Sequence, residues 1–187
     1  MPLKNFWSLE PGEVIFVEEL LERYKEKADF YFPFKDTGID LIGVTKNLKG
    51  IITFQVKESR YYESKDCAWH EVNKKKFVNG KVDFYIFLIY FPRRLMKADE
   101  EKGNGFEKYF VIVPEAHLLE KIKHKKARKK KKDFVYVFNF RLEDDNKKLS
   151  DVRESGLKDH DYSRYLNGWH LIEKKINMVA RQRHGSQ

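Results

Sequence analysis

The stretch Gly38-Ile39-Asp40-Leu41-Ile42-Gly43-Val44-Thr45, followed by Ile51-Ile52-Thr53-Phe54-Gln55-Val56-Lys57-Glu58-Ser59, decides the fold. Both runs are rich in Ile, Val, Thr and Phe. The intervening Lys46-Asn47-Leu48-Lys49-Gly50 carries turn residues, so the pair reads as a β-hairpin. Side chains alternate faces along a strand, which sets Gln55 and Lys57 on one face and Val56 on the other. An acid on one strand, with an amide oxygen and a lysine on its neighbour, makes a small polar cluster on an apolar hairpin. Such groups cost free energy when buried unless they are paired or used.

That combination points to a metal. A hard cation such as Mg²⁺ takes oxygen ligands and often keeps only one or two protein carboxylates, with water and phosphate completing its shell. Asp40 supplies a carboxylate, Gln55 a side-chain carbonyl, and Val56 a backbone carbonyl as a further ligand. Lys57 is placed to orient a water or to offset charge building on a phosphate. A solvated, idle hairpin would present the same residues, and the D…QxK spacing alone is a sparse pattern.

On these residues, with an acidic amphipathic helix before them, the chain resembles the PD-(D/E)XK nucleases, in the variant whose second motif begins with Gln. The order helix, strand, hairpin, helix, strand over roughly residues 10–90 is similar to that family's core. Mrr-type restriction endonucleases and Holliday junction resolvases share the layout. The resemblance implies an α/β fold with a mixed central β-sheet flanked by helices, in an αβββαβ restriction-endonuclease-like core with C-terminal additions. It also implies a Mg²⁺- or Mn²⁺-dependent DNA endonuclease. Asp40 and Gln55 would hold the metal with the Val56 carbonyl, Lys57 would assist catalysis, and a glutamate of the first helix would reach the site. Two departures stand out: Ile39 occupies the position of the family's Pro, and Gln55 replaces an acid, removing one negative charge. A nucleic-acid-binding protein on an inactive nuclease fold, and an RNase of the same fold, are the alternatives.

The first helix is predicted from Glu13 to Ala28, with Val14, Val17, Leu20, Leu21 and Tyr24 as its buried stripe. Glu13 and Glu18 flank that stripe, and either matches the implied glutamate. Glu13 is favoured, although an acid at a helix start also suits the macrodipole. A strand at Phe30–Phe34 is interrupted by Pro33. A helix is expected from Cys67 to Phe77, closed by Asn79-Gly80. Val82–Tyr90 reads as a strand covered on both faces, and a turn at Lys102-Gly103-Asn104-Gly105 leads to a strand at Tyr109–Val113. Pro114 then opens a helix running into the basic segment. Phe134–Phe140 is a further strand, Asp144–Asp161 a polar connection, and Asn167–Ala180 a last helix. Ser59, Arg60, Tyr61, Tyr62 and His70 are secondary candidates for contacting phosphate.

Composition bounds the rest. At 187 residues, 41% hydrophobic and 15% aromatic, the chain is expected to form one domain spanning 1–187, with its core at about 10–113. The net charge is +9, yet residues 121–132 (KIKHKKARKKKK) hold nine Lys or Arg and no acid. The other 29 basic residues match the 29 acidic ones, so the whole excess sits in that segment. Concentrated charge of this kind favours a polyanion. Lys125, Lys126, Arg128, Lys129, Lys130, Lys131 and Lys132 are therefore expected on nucleic acid, with DNA the first choice and RNA the alternative. No run is long enough for a membrane span, no secretory signal is evident, and the lone Cys67 cannot form an internal disulfide. A cytoplasmic setting is expected. Cutting both strands in register would favour a symmetric homodimer.

Overall fold

A computed structural model describes residues 9–35, 37–79, 82–95, 105–123, 125–143, 147–154 and 160–181. The chain begins with helix α1 (Pro11–Tyr24), strand β1 (Ala28–Tyr31), strand β2 (Leu41–Thr45) and the long strand β3 (Ile51–Tyr62). Next come β4 (Cys67–Asn73), the short helix α2 (Lys74–Asn79), β5 (Phe84–Pro92), β6 (Phe106–Pro114) and α3 (Glu115–Ile122). Strands β7 (Arg128–Lys130), β8 (Asp133–Glu143) and β9 (Lys148–Asp151) precede the last helix, α4 (Trp169–Arg181). The result is a mixed α/β fold, a large, mostly antiparallel sheet flanked by helices, as expected from the hairpin and its surroundings.

Strand β3 is the spine. Its first half pairs antiparallel with β2, its middle runs parallel to β5, and its last two residues pair with β4. Beyond the Tyr61↔Ala68 pair the β3–β4 ladder ends, and β4 continues into a second sheet region with β8, which also pairs with β7 and β9. Two cores follow from this division. Phe84, Ile86 and Leu88 of β5 face α1 and α4, joining Phe16, Leu20, Phe54, Ile172 and Ile176. Tyr85, Phe87 and Ile89 face the other way, joining Val72, Phe138, Phe140 and Tyr165. That double coverage explains the almost unbroken apolar run of β5.

Four expectations need correction. Residues 67–73 form a strand, not a helix: Ala68, His70 and Val72 are buried at a spacing of two, while Trp69, Glu71 and Asn73 point outward. The helix is confined to α2, and Gly80 of the expected stop lies outside the described residues. On α1 the buried set is Gly12, Glu13, Phe16, Leu20 and Tyr24, a spacing of four that turns Val14 and Leu21 to solvent. Helix α3 ends at Ile122, and the basic segment continues as strand β7 rather than as helix. The polar connection carries β9, whose Leu149, Ser150 and Asp151 are buried; its residues 144–146 and 155–159 lie outside the described residues. So do residues 102–104 of the expected turn. Among the described residues, no helix is long and apolar enough to cross a membrane.

Candidate active site

The β2–β3 hairpin brings Asp40 and Gln55 together by register. Leu41 pairs with Phe54, and the Asp40 N–H extends the ladder by donating to the Phe54 carbonyl at 2.8 Å. One carboxylate oxygen of Asp40 (Oδ2) accepts the Val56 N–H at 2.8 Å. The Lys57 ammonium approaches that same oxygen to 3.7 Å while donating to the Val56 carbonyl at 2.9 Å. Asp40, Gln55 and Val56 are all buried, and Lys57 is half-buried. Gly38, at φ 85°, turns the chain into Asp40, and a Cβ there would lie 3.9 Å from the Gln55 amide nitrogen. An L side chain at that φ is strained, so glycine suits the tight entry.

Of the two candidate glutamates, Glu13 is folded against the sheet at 4% exposure, and Glu18 faces solvent. Its neighbour Gly12 explains the placement. A Cβ on Gly12 would come within 2.8 Å of the Glu58 carboxylate, so glycine lets the first turn of α1 settle onto β3. Glu58 follows Lys57 directly, and sequence reasoning passed it over. Its carboxylate accepts the Tyr90 hydroxyl at 2.6 Å, and burial first, then that bond, raises the Tyr90 phenol above its usual range. Among the described residues, no three His, Cys, Asp or Glu side chains cluster to hold a metal. The oxygens around Asp40 that could serve a metal are its carboxylate, the Gln55 amide oxygen and the Val56 carbonyl, which here accepts the Lys57 ammonium.

His70, one of the secondary candidates for contacting phosphate, is instead buried on β4 between Phe87 and Phe140. Its Nε2–H donates to the Leu88 carbonyl at 3.1 Å. Burial pulls the imidazole down to about 4; the Leu88 bond opposes this, and the Lys57 charge adds to it. The ring is thus neutral in the folded chain above about pH 4 and titrates near its ordinary value of 6.5 when unfolded. Between those values the unfolded chain binds the extra proton, so this stabilisation is full above about pH 6.5 and is lost as pH falls toward 4. The total is on the order of 3 kcal/mol. Urea unfolding against pH should show a shallower fall in His70→Gln, whose amide keeps a donor for Leu88; equal pH dependence in both proteins would discard His70 as the source.

The basic segment divides. Lys125 turns inward: at 8% exposure its ammonium sits 2.6 Å from Asp151 and 4.8 Å from the centre of the Phe138 ring. It is a structural ion pair, not a surface contact, because the turn after α3 drops it between β8 and β9. Lys123 pairs with Glu120, and Lys130 pairs with Glu71 on β4. Arg128 lies over the Trp69 ring at 5.9 Å. Lys126, Lys129, Lys131 and Lys132 are exposed, and none of them makes a salt bridge among the described residues.

No protein-family model and no curated protein matches the chain. Among solved structures, it is similar to a bacterial homing endonuclease, I-Ssp6803I, with a TM-score of 0.50 at 14% sequence identity. That alignment covers 98% of this chain and 100% of the other. At so low an identity, the likeness is one of fold.

Proposed function

We propose that the chain is a metal-dependent endonuclease that hydrolyses phosphodiester bonds in DNA, of the PD-(D/E)XK kind with glutamine opening the second motif. The observation that carries this is the convergence of Asp40 and Lys57 beside Gln55, held by the register of β2 on β3. The fold likeness to a homing endonuclease supports the same reading.

The oxygen-only donor set suits a hard cation that keeps waters and takes up a phosphate. Mg²⁺ or Mn²⁺ bound there would polarise the scissile phosphate and lower the pKa of a coordinated water. The protein's part is positional. The Val56 N–H fixes the Asp40 carboxylate, and Gln55 lies opposite Asp40 by the same register. Lys57 holds its charge beside them, where it can orient water and offset charge developing on the phosphate. Glu13, buried at the start of α1, is the first-helix acid in this scheme. The exposed lysines of the β7–β8 segment supply sequence-independent grip on the phosphate backbone.

A second reading, DNA binding without cleavage, is favoured by one observation: Gln55 replaces a carboxylate, and no three-acid cluster occurs among the described residues. Calorimetric titration with Mn²⁺ separates the two. Saturable binding in the wild type that disappears in Asp40→Ala is expected of the nuclease. Equal Mn²⁺ uptake by both proteins would sink the metal site. The same preparations assayed on RNA and DNA assign the substrate.

A further inference from the structure

Strand β3 passes Asp40 at Gln55, in its first half, and β4 runs antiparallel to it from the Tyr61↔Ala68 pair, so β4 heads back toward that half. Asn73 at the end of β4 pairs with Val135, and Lys130 pairs with Asp133 one step further out. The β7–β8 hairpin therefore extends past the end of β4, in the direction of the half of β3 that carries the candidate active site. Its turn is Lys131-Lys132, with Lys131 at φ 53°. Glycine or asparagine is the usual occupant of such a position in a two-residue hairpin turn, because a lysine there is strained. The turn nonetheless keeps two lysines.

The hairpin's two faces differ. Arg128 and Lys130 stand over β4, engaged with Trp69 and Glu71. Lys129 and Phe134 are opposite one another on the ladder, both exposed, and Phe134 leaves 51% of its surface in water. A ring flanked by Asp133 and by lysines that make no salt bridge among the described residues offers a polyanion both charge and an apolar contact. The residues from Lys129 to Phe134 include no Asn or Gln, the side chains that pair with adenine in the major groove, and no Arg. Lysines beside an apolar ring suit the minor groove, where such rings wedge between base steps and bend the duplex.

We infer that the β7–β8 hairpin enters the minor groove of duplex DNA beside the cleavage site, with Phe134 wedged between base pairs and Lys129, Lys131 and Lys132 on the flanking phosphates. This rests on the DNA reading of the active site. The hairpin makes recognition depend on how readily a sequence unstacks and bends, which supplies selectivity without base-edge contacts.

The test is binding of the full chain to an A·T-rich duplex in Ca²⁺, over a range of salt, with and without the minor-groove ligand netropsin. Phe134→Ala should bind about tenfold more weakly, at an unchanged salt slope, while Phe134→Leu keeps most of the affinity. Lys131→Gln/Lys132→Gln should flatten the salt slope by about 1.8, the share of two phosphates. Netropsin should displace the wild type. Because Phe134 is exposed, unfolding curves of the variants should match the wild type. Wild-type affinity in Phe134→Ala, or indifference to netropsin, overturns the wedge and leaves the nuclease reading standing if the wild type still cleaves DNA in Mg²⁺. Absence of any duplex binding by the wild type, even at low salt, overturns both.

Discussion

Lys57→Ala is expected to lower the single-turnover rate of DNA cleavage by about 10²–10³-fold. The ammonium lies 3.7 Å from the Asp40 carboxylate and is tethered to the Val56 carbonyl, where, on the proposed reading, phosphate charge would develop. A charge that acts chiefly on the transition state contributes little to ground-state binding. Affinity for uncleaved duplex in Ca²⁺ should therefore change less than about threefold, because on the proposed reading phosphate grip comes from the β7–β8 lysines instead. Lys57→Arg keeps the charge but not the compact head, and should recover only part of the rate. A Lys57→Ala protein that cuts at the wild-type rate would remove Lys57 from the chemistry. Equal losses of rate and affinity would make it a binding residue instead.

Asp151→Ala is expected to destabilise the fold by about 3–5 kcal/mol. The Asp151 carboxylate takes the Lys125 ammonium on one oxygen at 2.6 Å and the Asn139 N–H on the other at 3.0 Å. Both charged side chains are less than 5% exposed, so removing the acid takes the carboxylate from a buried ammonium and leaves the Asn139 N–H unmet. Replacing both partners by apolar groups, Lys125→Met with Asp151→Leu, should cost less than the single change, since no charge is left uncompensated. Guanidinium unfolding of the three variants measures this; a loss below about 1 kcal/mol for Asp151→Ala would mean that water reaches the pair. Lys125 leads directly into β7, so the pair also anchors the base of the basic hairpin. Loosening it should weaken DNA binding indirectly, which is how a lysine that never meets DNA can still mimic a contact residue in mutagenesis.

The hairpin around Asp40 was legible because both of its signals are local: β-branched and aromatic runs, and a turn between them. Strand β5 was legible because burial on both faces leaves an apolar run, and α4 because Ile172, Ile176 and Val179 recur at helical spacing. The misread elements have a common cause in long-range packing. Strand β4 hides its alternation behind a histidine, since His70 occupies an inward position that a hydrophobic residue would have marked. The α1 stripe was displaced because Gly12 and Glu13, poor markers of a core, are its buried start, while Val14 and Leu21 are apolar but exposed. The basic segment looked uniform in sequence. Only tertiary structure separates Lys125, held inside by an acid 26 residues later, from the lysines at the hairpin tip. At the site itself, the pairing of Asp40 with Gln55 followed from hairpin register, whereas Glu58 and Tyr90 meet across β3 and β5, strands joined by no local signal.

Anomalous scattering from Mn²⁺ in crystals of the protein bound to duplex DNA tests whether the Asp40–Gln55–Lys57 cluster is a metal-dependent nuclease site. Such a site should give a Mn²⁺ peak within coordination distance of the Asp40 carboxylate and the Gln55 side-chain oxygen, with a DNA phosphate as a further ligand. Manganese bound elsewhere, with these two side chains remote from both metal and phosphate, would contradict it.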